Sequence, residues 1–166
     1  MPDNNFTPKD ALPSVIAGLL FIIMMIYGGF FIDNPRIDII KYLGVFVFIL
    51  SGVFGMAPVI IFRKKGGVKK GNSYMLTTKI VDTGLYSIVR HPQYSAFILW
   101  AIGGILLFQN EIVIVLGILM IILTYYDMTK EDKRNILKFG EPYKDYMKKV
   151  PRANFLWGLI LKAFRK

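Results

Sequence analysis

Two long, uncharged apolar runs constrain this chain more than any other feature. Residues 13–32 (PSVIAGLLFIIMMIYGGFFI) and 42–62 (YLGVFVFILSGVFGMAPVIIF) contain no Asp, Glu, Lys or Arg. A helix needs roughly 20 apolar residues to cross the hydrocarbon of a bilayer, and each run supplies them. A third apolar region, 95–126, is too long for one crossing and is broken by Gln109-Asn110-Glu111. We read it as a tight hairpin of two helices, 93–108 and 111–126. Each arm is about 24 Å long at roughly 1.5 Å per residue. That is short for a crossing, so the arms begin below the membrane surface or the bilayer thins around them. The expected fold is an all-α integral membrane protein of about four transmembrane helices, forming one membrane domain over residues 1–166. Cytoplasmic C-terminal helices would cover a pocket. The first run lacks a small-residue cleavage site and reads as a retained span, not a signal peptide.

The composition agrees: 54% of the residues are hydrophobic. There is no cysteine and a single histidine. Disulfides, thiolate chemistry and Cys- or His-rich metal sites are therefore excluded, and no metal is expected. A net charge of +10 suits either nucleic acid or a membrane surface. Its distribution favours the membrane. The N-terminus, residues 63–94 and the tail after Tyr126 together hold nineteen of the 21 Lys and Arg residues. Four spans put these three segments on one side, and the positive-inside rule makes that side cytoplasmic. Both termini would be cytoplasmic, in the plasma membrane of a prokaryote, with the basic side chains touching membrane lipids. No aromatic-basic module suggests a nucleic-acid partner. No inverted repeat and no mid-span charge suggest a transporter or pump.

Two polar stretches remain, 77–95 and 125–152, and the hairpin brings both to the same end. In the first, Thr83-Gly84 reads as a turn that uses the freedom of glycine at positive φ. Pro92 suits the first turn of a helix, which places His91 at or near its N-cap. Free N–H groups there favour an anion. A purely structural reading is also open: Arg90 anchors to headgroups, and Tyr86 and Tyr94 join an interfacial aromatic belt. In the second stretch, residues 127–139 continue the fourth span as a polar helix. Asp127 and Glu131, four apart, share a face, and Arg134 can pair with Glu131. Gly140 ends that helix. Tyr143 and Tyr146 share one face of a short helix that Val150-Pro151-Arg152 stops. The closing residues read as an interfacial amphipathic helix, anchored by Trp157 and Phe164, with Lys162, Arg165 and Lys166 at the lipid heads.

Taken in order, these pieces resemble the isoprenylcysteine carboxyl methyltransferases and their relatives, the phospholipid N-methyltransferases and small prokaryotic membrane methyltransferases. The residues that carry the resemblance are Ile80-Val81-Asp82-Thr83-Gly84-Leu85-Tyr86 and Arg90-His91-Pro92-Gln93-Tyr94. After the hairpin follow Glu131-Asp132, Phe139-Gly140, Tyr143 with Tyr146, and Val150-Pro151-Arg152. The match spans about residues 76–152, the expected methyltransferase core.

The resemblance implies an S-adenosylmethionine site at the cytoplasmic end of the hairpin, with S-adenosylhomocysteine as product and a lipophilic methyl acceptor. Tyr86, His91, Pro92, Gln93 and Tyr94 would hold the cofactor. Ile80 and Val81 would line it through their backbone, and Glu131 would be its acidic contact. This chain departs from the family in two places. Ala96 stands where glycine is usual. Asp127 stands where the carboxyl methyltransferases place the arginine that meets a substrate carboxylate. Asp127 would repel a carboxylate, so it points to an amine or other non-carboxylate acceptor and is itself a substrate-contact candidate. No catalytic acid or base is assigned. Two other readings stay open. One is an NADPH-dependent membrane reductase of the sterol-reductase type, which shares an Arg-His-Pro-x-Tyr-like turn. The other is a non-catalytic lipid-binding scaffold.

Overall fold

The computed structural model of the chain describes residues 11–32, 37–69, 71 and 77–164. Lys9, Arg36, Lys70, Arg165 and Lys166, which figure in the charge reading, lie outside the described residues. Among the described residues six α-helices follow one another: α1 (Leu12–Phe31), α2 (Asp38–Lys65), α3 (Pro92–Phe108), α4 (Glu111–Phe139), α5 (Glu141–Lys149) and α6 (Phe155–Phe164). A one-turn 3-10 helix at Gly84–Ser87 precedes α3. The described residues contain no strand, and the protein is an all-α integral membrane protein.

Helices α1, α2 and α4 are long and apolar enough to cross a membrane, while α3 is a shorter apolar helix of 17 residues. Their side chains face outward in the way lipid demands: Leu19, Ile23, Phe46, Ile49, Ile118 and Ile122 are all largely exposed. In water such a surface would drive aggregation. In a bilayer it faces a solvent as apolar as itself, and packing between the helices must hold the bundle together.

That packing runs α2 on α3, α3 on α4 and α4 on α1. Small residues set the closest approaches. A Cβ placed on Gly44 of α2 would lie 2.7 Å from the Leu107 backbone nitrogen of α3 and 3.0 Å from the Gly103 carbonyl oxygen. One on Gly104 would strike the Met24 side chain of α1. Ala17, Ala101 and Met120 bring α1, α3 and α4 to a common buried centre.

The expected hairpin is present. Helix α3 ends at Gln109, which adopts left-handed backbone angles (φ 48°), and Asn110 caps α4 by accepting the Ile112 N–H at 2.9 Å. The Gln109 side chain also clasps the backbone of Ile37, receiving its N–H at 3.0 Å and donating to its carbonyl at 2.8 Å. The hairpin turn and the start of α2 therefore share one end of the bundle. At the other end Lys65 reaches Thr83 at 3.0 Å, and Ser14 meets Asp127. As expected, the polar residues 127–139 simply continue the α4 helix. Gly140, at φ 67°, then turns the chain back into α5.

Candidate functional site

The polar end is built around Asp132. This carboxylate lies on the polar extension of α4 and is 2% exposed. Four donors from three parts of the chain fill it. His91 Nε2 lies 2.7 Å from Oδ1, and the Tyr143 hydroxyl donates to the same oxygen at 2.9 Å. Arg90 Nη2 donates to Oδ2 at 3.0 Å and Arg152 Nε at 2.8 Å. A carboxylate buried this deeply is tolerable only when so satisfied. Burial alone pushes the Asp132 pKa up, but the hydrogen bond and charge of His91, then of Arg90, hold it well below the usual carboxylate range. An ionised carboxylate only accepts, so the His91 nitrogen facing it carries the proton.

Arg90 is the second hinge of this knot. Its Nη1 donates to the Met147 carbonyl at 3.0 Å and also to the Val150 carbonyl. These are orphan acceptors at the C-terminus of α5, where a cation is favoured. Backbone pairing completes the join: Arg90 N donates to Pro151 O at 2.9 Å and His91 N to Arg152 O at 3.1 Å. Arg90 is 8% exposed and Tyr86 5%, so the headgroup-and-belt reading of these two residues is corrected. Long-range partners on α4 and α5 draw them inward. His91 is the N-cap of α3 with Pro92 in its first turn, as the spacing suggests, although its side chain serves Asp132 and not the helix.

The candidate site residues fall into two groups on either side of this knot. Ile80, Val81 and Tyr86 line a cavity of about 50 Å³ with Phe62, Thr77, Lys79, Arg90, Asn135, Phe139, Tyr143 and Tyr146. Gly84 takes positive φ (64°) to start the 3-10 turn that sets Tyr86 flat against Phe62, with ring centroids 4.6 Å apart. The Tyr146 hydroxyl locks that turn by donating to the Tyr86 carbonyl at 2.6 Å. Burial pushes both the Tyr143 and Tyr146 phenols well above their usual range, and the nearby Asp132 charge adds to this for Tyr143. Both stay protonated donors. Arg90 lines this cavity, and its Nε is a buried donor without a partner.

The second group lies where α1, α3 and α4 meet. Tyr94 sits edge-on to His91 (5.6 Å, 81°) and within electrostatic reach of Glu131, Asp127 and Arg134. Glu131 accepts from Arg134 Nε at 3.0 Å and from Asn135 at 3.3 Å, so the expected pairing with Arg134 is present. Asp127 is 2% exposed. The Ser14 hydroxyl donates to its Oδ2, while its Oδ1 has no partner. Gln93 is half-buried beside them in the first turn of α3. Sequence reasoning singled out neither Asp132 as the hub nor Ser14. The only signal for Asp132 was its place beside Glu131, and nothing local marked Ser14. Among the described residues no cluster of His, Asp and Glu could hold a metal ion.

The isoprenylcysteine carboxyl methyltransferase (ICMT) family model matches residues 72–137. The chain is 36% identical over 76 residues to protein-S-isoprenylcysteine O-methyltransferase of Mus musculus, a match covering 45% of this chain and 27% of that protein. The Homo sapiens enzyme of the same name is 34% identical over 76 residues, with 45% and 27% covered. Protein-S-isoprenylcysteine O-methyltransferase B of Arabidopsis thaliana is 29% identical over 111 residues, covering 59% of this chain and 56% of its own. The chain thus spans about a quarter of the mammalian relatives and about half of the plant one. No solved structure gives a significant match. The matched stretch takes in the 3-10 turn, the Arg-His-Pro turn, the hairpin and Asp132, and this segment of the chain is similar to the isoprenylcysteine carboxyl methyltransferase family.

Proposed function

We propose that the protein is an S-adenosylmethionine-dependent methyltransferase working at the cytoplasmic face of the membrane on a lipophilic, non-carboxylate acceptor. The observation that carries this reading is the Asp132 knot. It ties the two polar segments of the family signature into one site at the end of a membrane hairpin. The residues present fit the cofactor chemically. On the cavity side the unpartnered Arg90 Nε and the Lys79 amine suit a carboxylate. Tyr86, Tyr143, Tyr146, Phe62 and Phe139 offer ring faces for an adenine or a sulfonium. The His91–Tyr94 turn and Glu131 lie on the far side of the knot and would close the site toward the hairpin, with Glu131 suited to an ammonium.

When bound, the cofactor supplies an electrophilic methyl group on its sulfonium. The protein's part is alignment and exclusion of water. The knot holds Arg90, His91 and Tyr143 rigid, and the strap at 150–152 seals the cytosolic side. The lipid-exposed walls of α1 and α4 leave the acceptor a route from the bilayer. The basic residues at this end of the bundle support a cytoplasmic side for the site, in a plasma membrane.

The test uses the purified full chain. S-adenosylhomocysteine at about 100 times its Kd should stabilise the fold by about 2.7 kcal/mol, while NADPH should not. A thermal shift with NADPH alone would make the chain a reductase, and no shift with either would make it a scaffold. Incubating membranes with methyl-labelled cofactor then reports the acceptor. Label recovered only as base-labile methyl esters would overturn the non-carboxylate acceptor.

A further inference from the structure

We propose that Asp127, Ser14 and Tyr94 form a binding site for the ammonium head of a lipid-like amine, deepening the methyltransferase reading by naming its acceptor class. Asp127 lies at the last apolar turn of α4 with 2% exposure. An ionisable side chain at such a depth is costly and calls for a compensating partner. The described residues supply only half of one. Ser14 donates to Oδ2, and Oδ1 is left buried with no donor.

The surrounding charges do not make up the difference. Glu131 lies one turn along on the same helix, and the neighbouring guanidinium of Arg134 is bonded to Glu131. Tyr94, from α3, adds a phenol and an aromatic edge but no charge. Across α1, α3 and α4 the site therefore presents two carboxylates and one guanidinium. A ligand bearing one N–H-rich positive charge satisfies Oδ1 and balances the cluster in one step. The rest of that ligand is apolar by location. Val15, beside Ser14, is 55% exposed and Tyr126, beside Asp127, is 52% exposed, both on the lipid-facing wall.

The probes are dodecylamine, dodecanol and sodium dodecanoate, titrated in detergent into the full-length protein without cofactor. Dodecylamine should bind at least about tenfold more tightly than dodecanol, and dodecanoate no better than the alcohol. Asp127→Asn keeps the shape of the side chain and can still accept from Ser14. It should erase the preference for the amine. Equal affinity of the wild-type protein for amine and alcohol would overturn the proposal without any variant, so a misfolded Asp127→Asn would not rescue it. An unchanged amine preference in a folded Asp127→Asn would overturn it as well. The two readings fail separately. Amine binding with no S-adenosylhomocysteine binding would sink the methyltransferase alone. Cofactor binding with no amine preference would sink the acceptor assignment alone.

Discussion

His91 and Asp132, 41 residues apart in the chain, lie 2.7 Å apart in the interior of the protein's polar end. This contact joins the helix start of α3 to the polar extension of α4, and Arg90, Tyr143 and Arg152 close around it. Asp132→Asn would place amide N–H groups against existing donors and leave the guanidinium groups of Arg90 and Arg152 uncompensated. We predict a loss of about 3–5 kcal/mol, the usual result of breaking a buried ionic cluster on one side. Glu131→Gln, one residue away, should cost under about 1 kcal/mol, because its pair with Arg134 is partly solvated. Its effect should instead appear as weaker S-adenosylhomocysteine binding. Thermal unfolding of both variants beside a binding titration separates the two roles.

The same carboxylate sets an acid limit. Asp132 has a pKa held below its ordinary value, so its stabilisation is complete above the unfolded carboxylate value of about 3.9. It is lost as the pH falls below that, toward the folded value. Stability measured in detergent should thus be insensitive to this group from neutrality down to about pH 5, then fall. In Asp132→Asn the part of the acid loss due to this group should be missing. An identical acid profile in both proteins would refute the assignment.

How much of this was legible beforehand depends on the range of the interactions involved. The apolar helices, the hairpin break at Gln109-Asn110-Glu111, the helix end at Gly140 and the shared face of Tyr143 and Tyr146 are local patterns, and all are present, although only three of the four expected spans are helices long enough to cross a membrane. Asp132 is another matter. Neighbouring residues on a helix point about 100° apart, so of the pair Glu131-Asp132 one faces the knot and the other does not. Which one does depends on where Arg90 and Arg152 arrive, and no local spacing encodes that. Ser14 meets Asp127 across 113 residues, and a serine at the start of an apolar run carries no mark of it. The inward turn of Arg90 is equally non-local, since its acceptors are the last carbonyls of α5.

Close helix contact makes a further prediction. Gly44→Ala would drive a methyl group against the α3 backbone at Leu107 and Gly103, where neither atom can rotate away. It should destabilise by about 1–3 kcal/mol. Gly52→Ala on the same helix has open space around it and should be neutral or stabilising by up to about 1 kcal/mol. Unfolding midpoints of the two variants, measured in the same detergent, give the comparison.

Gly158 ties α6 to the site. A Cβ there would lie 1.9 Å from the Ile88 carbonyl oxygen, while Phe155 packs edge-on against Phe54 at 5.5 Å. Gly158→Ala should lift α6 from the loop before α3. Faster hydrogen exchange or proteolysis at residues 155–164, with α1–α4 unchanged, is the expected signature. Equal protection in both proteins would show that α6 is held by other contacts.

The backbone pairs Arg90–Pro151 and His91–Arg152 also impose an order of events on biogenesis. Arg90 and His91 are translated about 60 residues ahead of the carbonyls that accept their N–H groups, and the α3–α4 hairpin is made in between. A nascent chain can thus complete its membrane bundle while its polar end stays open. The site closes only when the 150–152 strap arrives. A translation product stopped before Val150 should therefore insert and persist in the membrane, yet never acquire a finished polar end.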